Sequence, residues 1–334
     1  MKAVWAAAMA MAATIGITAA TAAEARMSGP YQSGNLSVFL IHAEPAAGSG
    51  GGAAAYLTLD EALASGAAAV YETGDVNELE VQNKSKDRTL FIQAGDIVKG
   101  GRQDRVLSVD LILPPGSGKV PITAFCVEQG RWSARGQESA QQFASAEKSL
   151  AGKDLKLAAK SKRSQTDVWN AVAETQAKLA ASVGGEVAAP ASPTSLQLSL
   201  ENEKVAEAVG KHVAALAALV EAHPDAVGYL YAVNGKISGG DVYASPLLFR
   251  KLWPRLLEAS VTEAVAERSD GSASQGPAAD DATAFLTAMD SAAATDQQLP
   301  AGVTLVSRET DKAAAFETRS DSADGWLHRS YIVK

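Results

Sequence analysis

Short apolar runs bounded by glycine, proline and charged residues fill the first part of this chain, runs of helical period follow, and short alternating runs close it. Strands grouped apart from helices point to the α+β class: a strand-rich N-terminal part with antiparallel sheet, packing helices, a central β-hairpin and a C-terminal antiparallel meander. The strand signals are residues 35–41, 78–81, 88–92, 105–113 and 119–129, with Leu107, Val109, Leu111 and Leu113 on one face of the fourth. Helical spacing of Val168, Val172 and Leu179, with Trp169 beside them, predicts a helix over 166–182. Val205, Val209, Val213, Leu216 and Val220 predict another over 199–222. Asn234-Gly235 lies between two apolar stretches of 227–243, and both residues tolerate the positive φ of a tight hairpin turn. Ser245-Pro246 then opens a helix through Leu247, Phe249, Leu252, Leu256 and Leu257, which Pro254 is expected to kink. Residues 303–308, 314–319 and 326–333 form the closing meander, and no internal repeat is visible.

The N-terminus imposes a second constraint. A single cation, Lys2, precedes an uncharged run from Ala3 to Ala23, and the first acid is Glu24. With small residues through Ala-Thr-Ala-Ala-Glu-Ala, this is the layout of a signal peptide over 1–23, cleaved between Ala22 and Ala25. The mature chain is then expected to be exported, to the periplasm or the extracellular space, with no membrane attachment after cleavage. An α+β domain over 31–266, a linker over 267–282 and a C-terminal helix and strands over 283–334, packing on the same domain, complete the organisation. The only cysteine, Cys126, lies far from the cleavage region and cannot form an intramolecular disulfide, so packing must hold the fold together. Removing 1–23 takes away one charged residue, Lys2, and moves the formal net charge from −8 to −9. That balance argues against nucleic acid as a partner, which needs a surplus of Lys and Arg.

Three polar clusters interrupt the apolar patterns. The first, from Ala94 to Arg105, carries Asp96, Lys99, Arg102, Gln103, Asp104 and Arg105 around Gly100-Gly101. It lacks the Lys-Ser/Thr ending of a phosphate-binding loop. It reads either as a charged hairpin turn or as a recognition loop whose bases hold an anion. In the second, Phe125 to Trp132, alternation puts Ile122, Ala124, Cys126 and Glu128 on one face. A carboxylate on a core face must be ion-paired, here to Arg131 or Arg105, or have a raised pKa suited to general acid–base work. For Cys126 the inert reading prevails, since a nucleophilic thiol needs a nearby base and the four histidines lie scattered in the sequence. In the third, Ala232 to Tyr243, turn geometry explains Asn234 and Gly235. Asp241 would share a face with Ile237, Leu230 and Ala232 and needs a partner there. No histidine pair, cysteine pair or acidic loop has metal-site spacing, so no metal is predicted, and the cofactor is unknown, with none predicted.

Gly-Asp-Ile-Val-Lys-Gly-Gly-Arg-Gln-Asp-Arg-Val-Leu, Cys-Val-Glu-Gln-Gly-Arg-Trp and Ala-Val-Asn-Gly-Lys followed by Asp241 resemble the ARG and rhodanese-phosphatase-superfamily-associated protein domain, a family of unknown function. The resemblance rests on a span from about Leu57 through the helix after Ser245, including Asp167-Val-Trp-Asn170. It implies a ligand that is phosphorylated or ADP-ribose-like, and brings no catalytic assignment. Three functions follow as expectations. One is a module binding a polar or anionic small molecule through Lys99, Arg102, Arg105 and Arg131, with Gln103, Gln129 and Asn234 reading polar groups and Trp132 stacking. Another is a hydrolase in which Glu128 works with Asp96 or Asp241 on such a substrate. The last makes the clusters a turn-stabilising ion-pair network in a structural or interaction protein.

Overall fold

The computed structural model describes residues 26–43, 56–146, 150–268, 276–321 and 325–334. The segment read as a signal peptide, and the middle of the 267–282 linker, lie outside the described residues. An eight-stranded antiparallel sheet forms the largest layer. Its order is Met27–Ser33, Leu36–His42, Ala226–Val233, Lys236–Tyr243, Trp326–Val333, Ala313–Ser320, Val303–Glu309 and Ala294–Leu299. Strands from the two ends of the chain thus flank the Asn234-Gly235 hairpin. The Leu36–His42 strand is buried at every position because helices cover both faces. Leu36, Val38 and Leu40 join the core with helices Gln165–Val183, Glu203–Leu216 and Pro246–Ala266, while Phe39 and Ile41 meet Ala282, Leu286 and Met289 of helix Ala279–Asp290. Burial on both sides is why this run reads as continuously apolar.

The second layer is a closed barrel of Lys119–Cys126, Glu78–Asn83, Ala68–Glu72, Gln142–Ser145, Ile97–Gly100 and Arg105–Leu107. Val70, Leu79, Val81, Val98, Leu107, Ile122 and Phe143 fill its interior. A small sheet of Leu57–Thr58, Leu90–Ile92 and Leu111–Leu113 lies beside it. The α+β class therefore holds, with antiparallel pairing dominant.

Three local expectations change for physical reasons. The 105–113 run is two strands in two sheets, broken at Asp110, whose buried carboxylate accepts the Ala94 amide at 2.7 Å. The shared face survives the break: Leu107, Val109, Leu111 and Leu113 all enter one apolar cluster. The 199–222 helix is interrupted at Asn202, which caps Glu203–Leu216 by accepting the Lys204 amide at 3.1 Å. In the hairpin, the register slips between Tyr231 and Ala232, so Asp241 pairs with Tyr229. A one-residue slip exchanges the faces of a strand. Asp241 accordingly leaves the Leu230 face for the side of Tyr229, Tyr231 and Tyr243.

The first cluster's second glycine is a packing requirement. Gly101 has φ +55, and a Cβ there would lie 2.2 Å from Phe143 Cζ inside the barrel wall. Gly101→Ala is expected to cost about 1–3 kcal/mol in urea unfolding, from the left-handed backbone and the overpacking together. An unchanged midpoint would show that Phe143 can move aside freely.

Candidate functional site

The first two sequence clusters meet at one end of the barrel and close on each other. Asp104 and Glu128 are both fully buried. Arg131 Nε donates to Glu128 Oε1 at 2.7 Å, and Arg131 Nη2 reaches Asp104 Oδ1 at 3.4 Å. Arg135 donates to both Asp104 oxygens at 3.3 Å. Ser195 Oγ bonds Asp104 Oδ2 at 3.2 Å, Ser192 Oγ donates to Glu128 Oε1, and the Gly100 amide donates to Asp104 Oδ1 at 2.9 Å. Burial pushes the Glu128 carboxyl up, but Arg131, Ser192 and the Asp104 amide together hold it below the usual carboxylate range. A carboxylate so held is a weak general acid at neutral pH. Burial prevails at Asp104, which stays raised despite the Gly100 amide and Arg135.

The remaining residues of these clusters are also engaged. Arg105 is buried, donating to the Gln103 carbonyl at 2.8 Å and facing Glu72 at 3.5 Å, while Gln103 donates to the Glu128 carbonyl at 3.0 Å. Lys99 pairs with Glu201 at 2.6 Å. Gln129 is tied to Thr194 through its backbone. Arg102 and the exposed Trp132 face solvent with the guanidinium 5.8 Å from the ring centroid. Asn234 sits apart in its turn, φ 51, donating to the Glu267 carbonyl at 2.8 Å.

Asp96 and Asp241 belong to a different network, between the large sheet and the barrel. Asp96 pairs with Arg255 at 2.8 Å, and burial holds its carboxyl above the usual range. Asp241 Oδ1 lies 3.1 Å from His328 Nε2 and its Oδ2 accepts from Lys156 Nζ at 3.2 Å. The opposite nitrogen, His328 Nδ1, is 2.7 Å from Asp110 Oδ2, which also accepts from Thr318 Oγ1 at 2.5 Å. Tyr243 stacks on the His328 ring with centroids 4.7 Å apart. Burial raises the Asp110 carboxyl, and the combined pull of Lys160, His328 and Thr318 overcomes this and holds it far below its usual range. Asp241 is depressed in the same way, against burial, by Lys156 and His328. For His328, burial opposes the charge, but Asp110 and Asp241 prevail and raise its pKa.

Lys156 and Lys160 reach this network from one face of a helical segment that begins at Lys153 and passes into a π-helical turn, Leu157–Lys162. That turn ends at Arg163 in the left-handed region, φ 51. Such turns are frequent at functional sites because they place side chains that a regular helix would not. Burial lowers the Lys160 pKa. Its ammonium lies 3.9 Å from Asp110 Oδ1 and 4.7 Å from the Phe316 ring centroid.

Above Lys160 opens a cleft of about 360 Å³, lined also by Ser161, Arg163, Thr295, Ser307, Glu309 and Phe316. This lies within the size range of small-molecule sites, roughly 300–1,000 Å³. A second cleft, beside Lys153, Lys178 and Glu263, measures about 50 Å³ and has room for little more than water. The larger cleft thus combines two cations, three hydroxyls and one carboxylate over an aromatic floor. Ser161 Oγ donates to Glu309 Oε1 at 2.5 Å and Arg163 donates to Gln297 at 2.7 Å, so both walls are already ordered.

Of the residues singled out in the sequence, Glu128, Gln103, Arg105 and Arg131 are brought together, Asp96 and Asp241 join the sheet-side network, and none lines the larger cleft. Asp110, Arg135, Lys156 and Lys160 escaped notice, and His328 was set aside with the other scattered histidines. The signal for the lysines was their spacing of four in Lys-Leu-Ala-Ala-Lys, on one helical face. That for Asp110 was an acid set in an apolar strand. The chain matches the ARG and Rhodanese-Phosphatase-superfamily-associated Protein domain over residues 24–332 and belongs to that family. The match extends beyond the span in which the resemblance was visible, as it must if the closing strands complete the same sheet as the hairpin. No curated protein and no solved structure matches the chain.

Proposed function

We propose that this family member is an exported binding protein for a small polar molecule with an anionic group, held in the cleft between the Lys160–Arg163 turn and the Val303–Glu309 and Ala313–Ser320 strands. The observation that carries the reading is a cleft large enough for a ligand that is lined by two cations, the exposed Arg163 and Lys160, whose buried ammonium also lies 3.9 Å from Asp110 Oδ1. An anionic group between these cations would gain charge-assisted hydrogen bonds, while Glu309 would accept from ligand hydroxyls. A phosphorylated or ADP-ribose-like compound has both features. Export rests on the charge and small-residue pattern of the first 25 residues. The carboxylate-pair hydrolase has less support, because Glu128 is committed to two arginines while Asp96 and Asp241 are committed to Arg255, Lys156 and His328.

Calorimetric titration with ADP-ribose, ribose 5-phosphate and pyrophosphate tests the reading. At least one should bind, and Arg163→Ala and Lys160→Met should each weaken it by about tenfold or more, the loss of one hydrogen bond to a charged group. Equal affinity in both variants, or no binding of any of the three, would refute the assignment.

A further inference from the structure

Far from that cleft, at the opposite edge of the large sheet, three side chains distant in sequence meet in a defined order. Ser28 Oγ lies 2.7 Å from His42 Nε2, and His42 Nδ1 lies 3.2 Å from Asp225 Oδ1. A hydroxyl, an imidazole bonded through both nitrogens and a carboxylate form the nucleophile, base and orienting acid of acyl-transfer enzymes, a constellation recognised by geometry on any fold. Their elements explain the meeting. Ser28 is on the edge strand Met27–Ser33, His42 ends its neighbour Leu36–His42, and Asp225 precedes Ala226–Val233, which pairs with the far side of the His42 strand. Pairing of the first two strands slips between Ser28 and Tyr31, where Gly29 has φ +112. Such irregularities at sheet edges re-aim side chains beside active sites.

The surroundings match the roles of the base and the nucleophile, while the Asp225 side chain is 45% exposed. His42 is buried, with its side chain 4% exposed, whereas Ser28 remains partly open to solvent. Arg26 bonds the outer oxygen of Asp225, leaving Oδ1 to the imidazole. Tyr31 OH, 2.7 Å from His223 Nε2, donates to Ser28 Oγ at 3.2 Å. A hydroxyl so placed next to the nucleophile can turn to a developing oxyanion.

We propose that Ser28, His42 and Asp225 are a hydrolytic triad acting on short-chain carboxylic esters. With its proton on Nδ1 held by Asp225, His42 accepts the Ser28 hydroxyl proton at Nε2 as Oγ attacks the ester carbonyl carbon. The tetrahedral oxyanion accepts from Tyr31 OH. It collapses with cleavage of the bond to the alcohol oxygen, which takes the proton from Nε2. Water, deprotonated by the same nitrogen, then attacks the acyl-serine and releases the acid and free Ser28, so ester and water become acid and alcohol. The short acyl chain follows from the setting: among the described residues, Gly29 and Pro30 beside Ser28 are exposed, and Ser28 lines neither of the two clefts above, so neither offers a trench to a long chain.

The test uses the mature chain with p-nitrophenyl acetate and, separately, a fluorophosphonate probe mapped by peptide mass spectrometry. Wild type should hydrolyse the acetate and carry the phosphonate on Ser28. Ser28→Ala, a small change on a partly exposed edge strand, should lose on the order of a thousandfold in kcat and all labelling, with its melting temperature unchanged. His42→Gln and Asp225→Asn should lose activity too, and p-nitrophenyl octanoate should turn over more slowly than the acetate. Full activity in Ser28→Ala, labelling of a different serine, or no hydrolysis by folded wild type would overturn the triad. Faster turnover of octanoate would overturn the substrate class. None of these outcomes bears on ligand binding at Lys160, which is a separate site.

Discussion

Glu128→Ala is expected to remove about 3–5 kcal/mol from the unfolding free energy, the cost of leaving a buried charge without its partner. Small domains have roughly 5–15 kcal/mol in total, so the shift in urea midpoint should be among the largest that one substitution in this chain can produce. The reason lies in what Glu128 satisfies at once: Arg131, Arg135, Ser192 and the Asp104 amide, with both arginine side chains at most 10% exposed. Removing it leaves Arg131 to Asp104 alone, whose own carboxyl burial has already raised, and Arg135 to Asp104 and Glu138. Glu128→Gln keeps an acceptor for Ser192 and loses only the charge, so its cost should be smaller, about 1.5–3 kcal/mol. Near-wild-type stability in Glu128→Ala would contradict the closed ion-pair account and return Glu128 to the functional candidates.

The sequence revealed much of this arrangement, and the parts it hid have physical causes. Glu128 on a core face had to be paired, and the pairing to Arg131 was among the alternatives that alternation allowed. Arg135 was invisible because it lies in a loop, where no period announces burial, and it is drawn inward by Asp104 from the turn before the Arg105–Leu107 strand. Hairpin, capped helices and closing meander were legible because each signal is local: two turn residues, a serine before a proline, a repeat of two or 3.6. Barrel closure was not legible, because Gln142–Ser145 pairs with both Ala68–Glu72 and Ile97–Gly100, and no pattern within a strand encodes its distant partners. Asp241 shows the limit most sharply. Its need for a partner was evident from strand alternation, but a single extra residue near Ser238 turned it to the other face, where the partners are Lys156 and His328.

Networks of this kind assemble from both ends of a chain. The carboxylate–imidazole–carboxylate series draws Asp110 from beside the barrel, Asp241 from the hairpin and His328 from the closing strand, and the lysines come from a helical segment between. Each is unremarkable in its own stretch of sequence. Only the register of the large sheet makes them neighbours, which is why a family match through residue 332 and the completed sheet belong together.

Asp110→Ala should cost about 3–5 kcal/mol near pH 6, because it removes the nearest carboxylate from buried Lys160 and leaves His328 with Asp241 alone. It should also alter how stability depends on pH. The pKa of His328 is raised in the folded chain, so its contribution is complete below its usual value of about 6.5 and is lost as pH rises through the higher folded value. Asp110 and Asp241 are depressed, so their contributions hold above the usual range near 4 and fail only as pH falls through their much lower folded values. Lys160 is lowered and acts oppositely to His328, favouring the folded state again at more alkaline pH. The contribution of Asp110, Asp241 and His328 to wild-type stability should therefore be flat between about pH 4 and 6.5 and decline above it. Urea unfolding measured at intervals from pH 5 to 9 should show that decline in wild type and a much weaker one in both Asp110→Ala and His328→Gln. A decline of equal steepness in all three proteins would mean that another group controls it and that His328 is not charged between its two carboxylates.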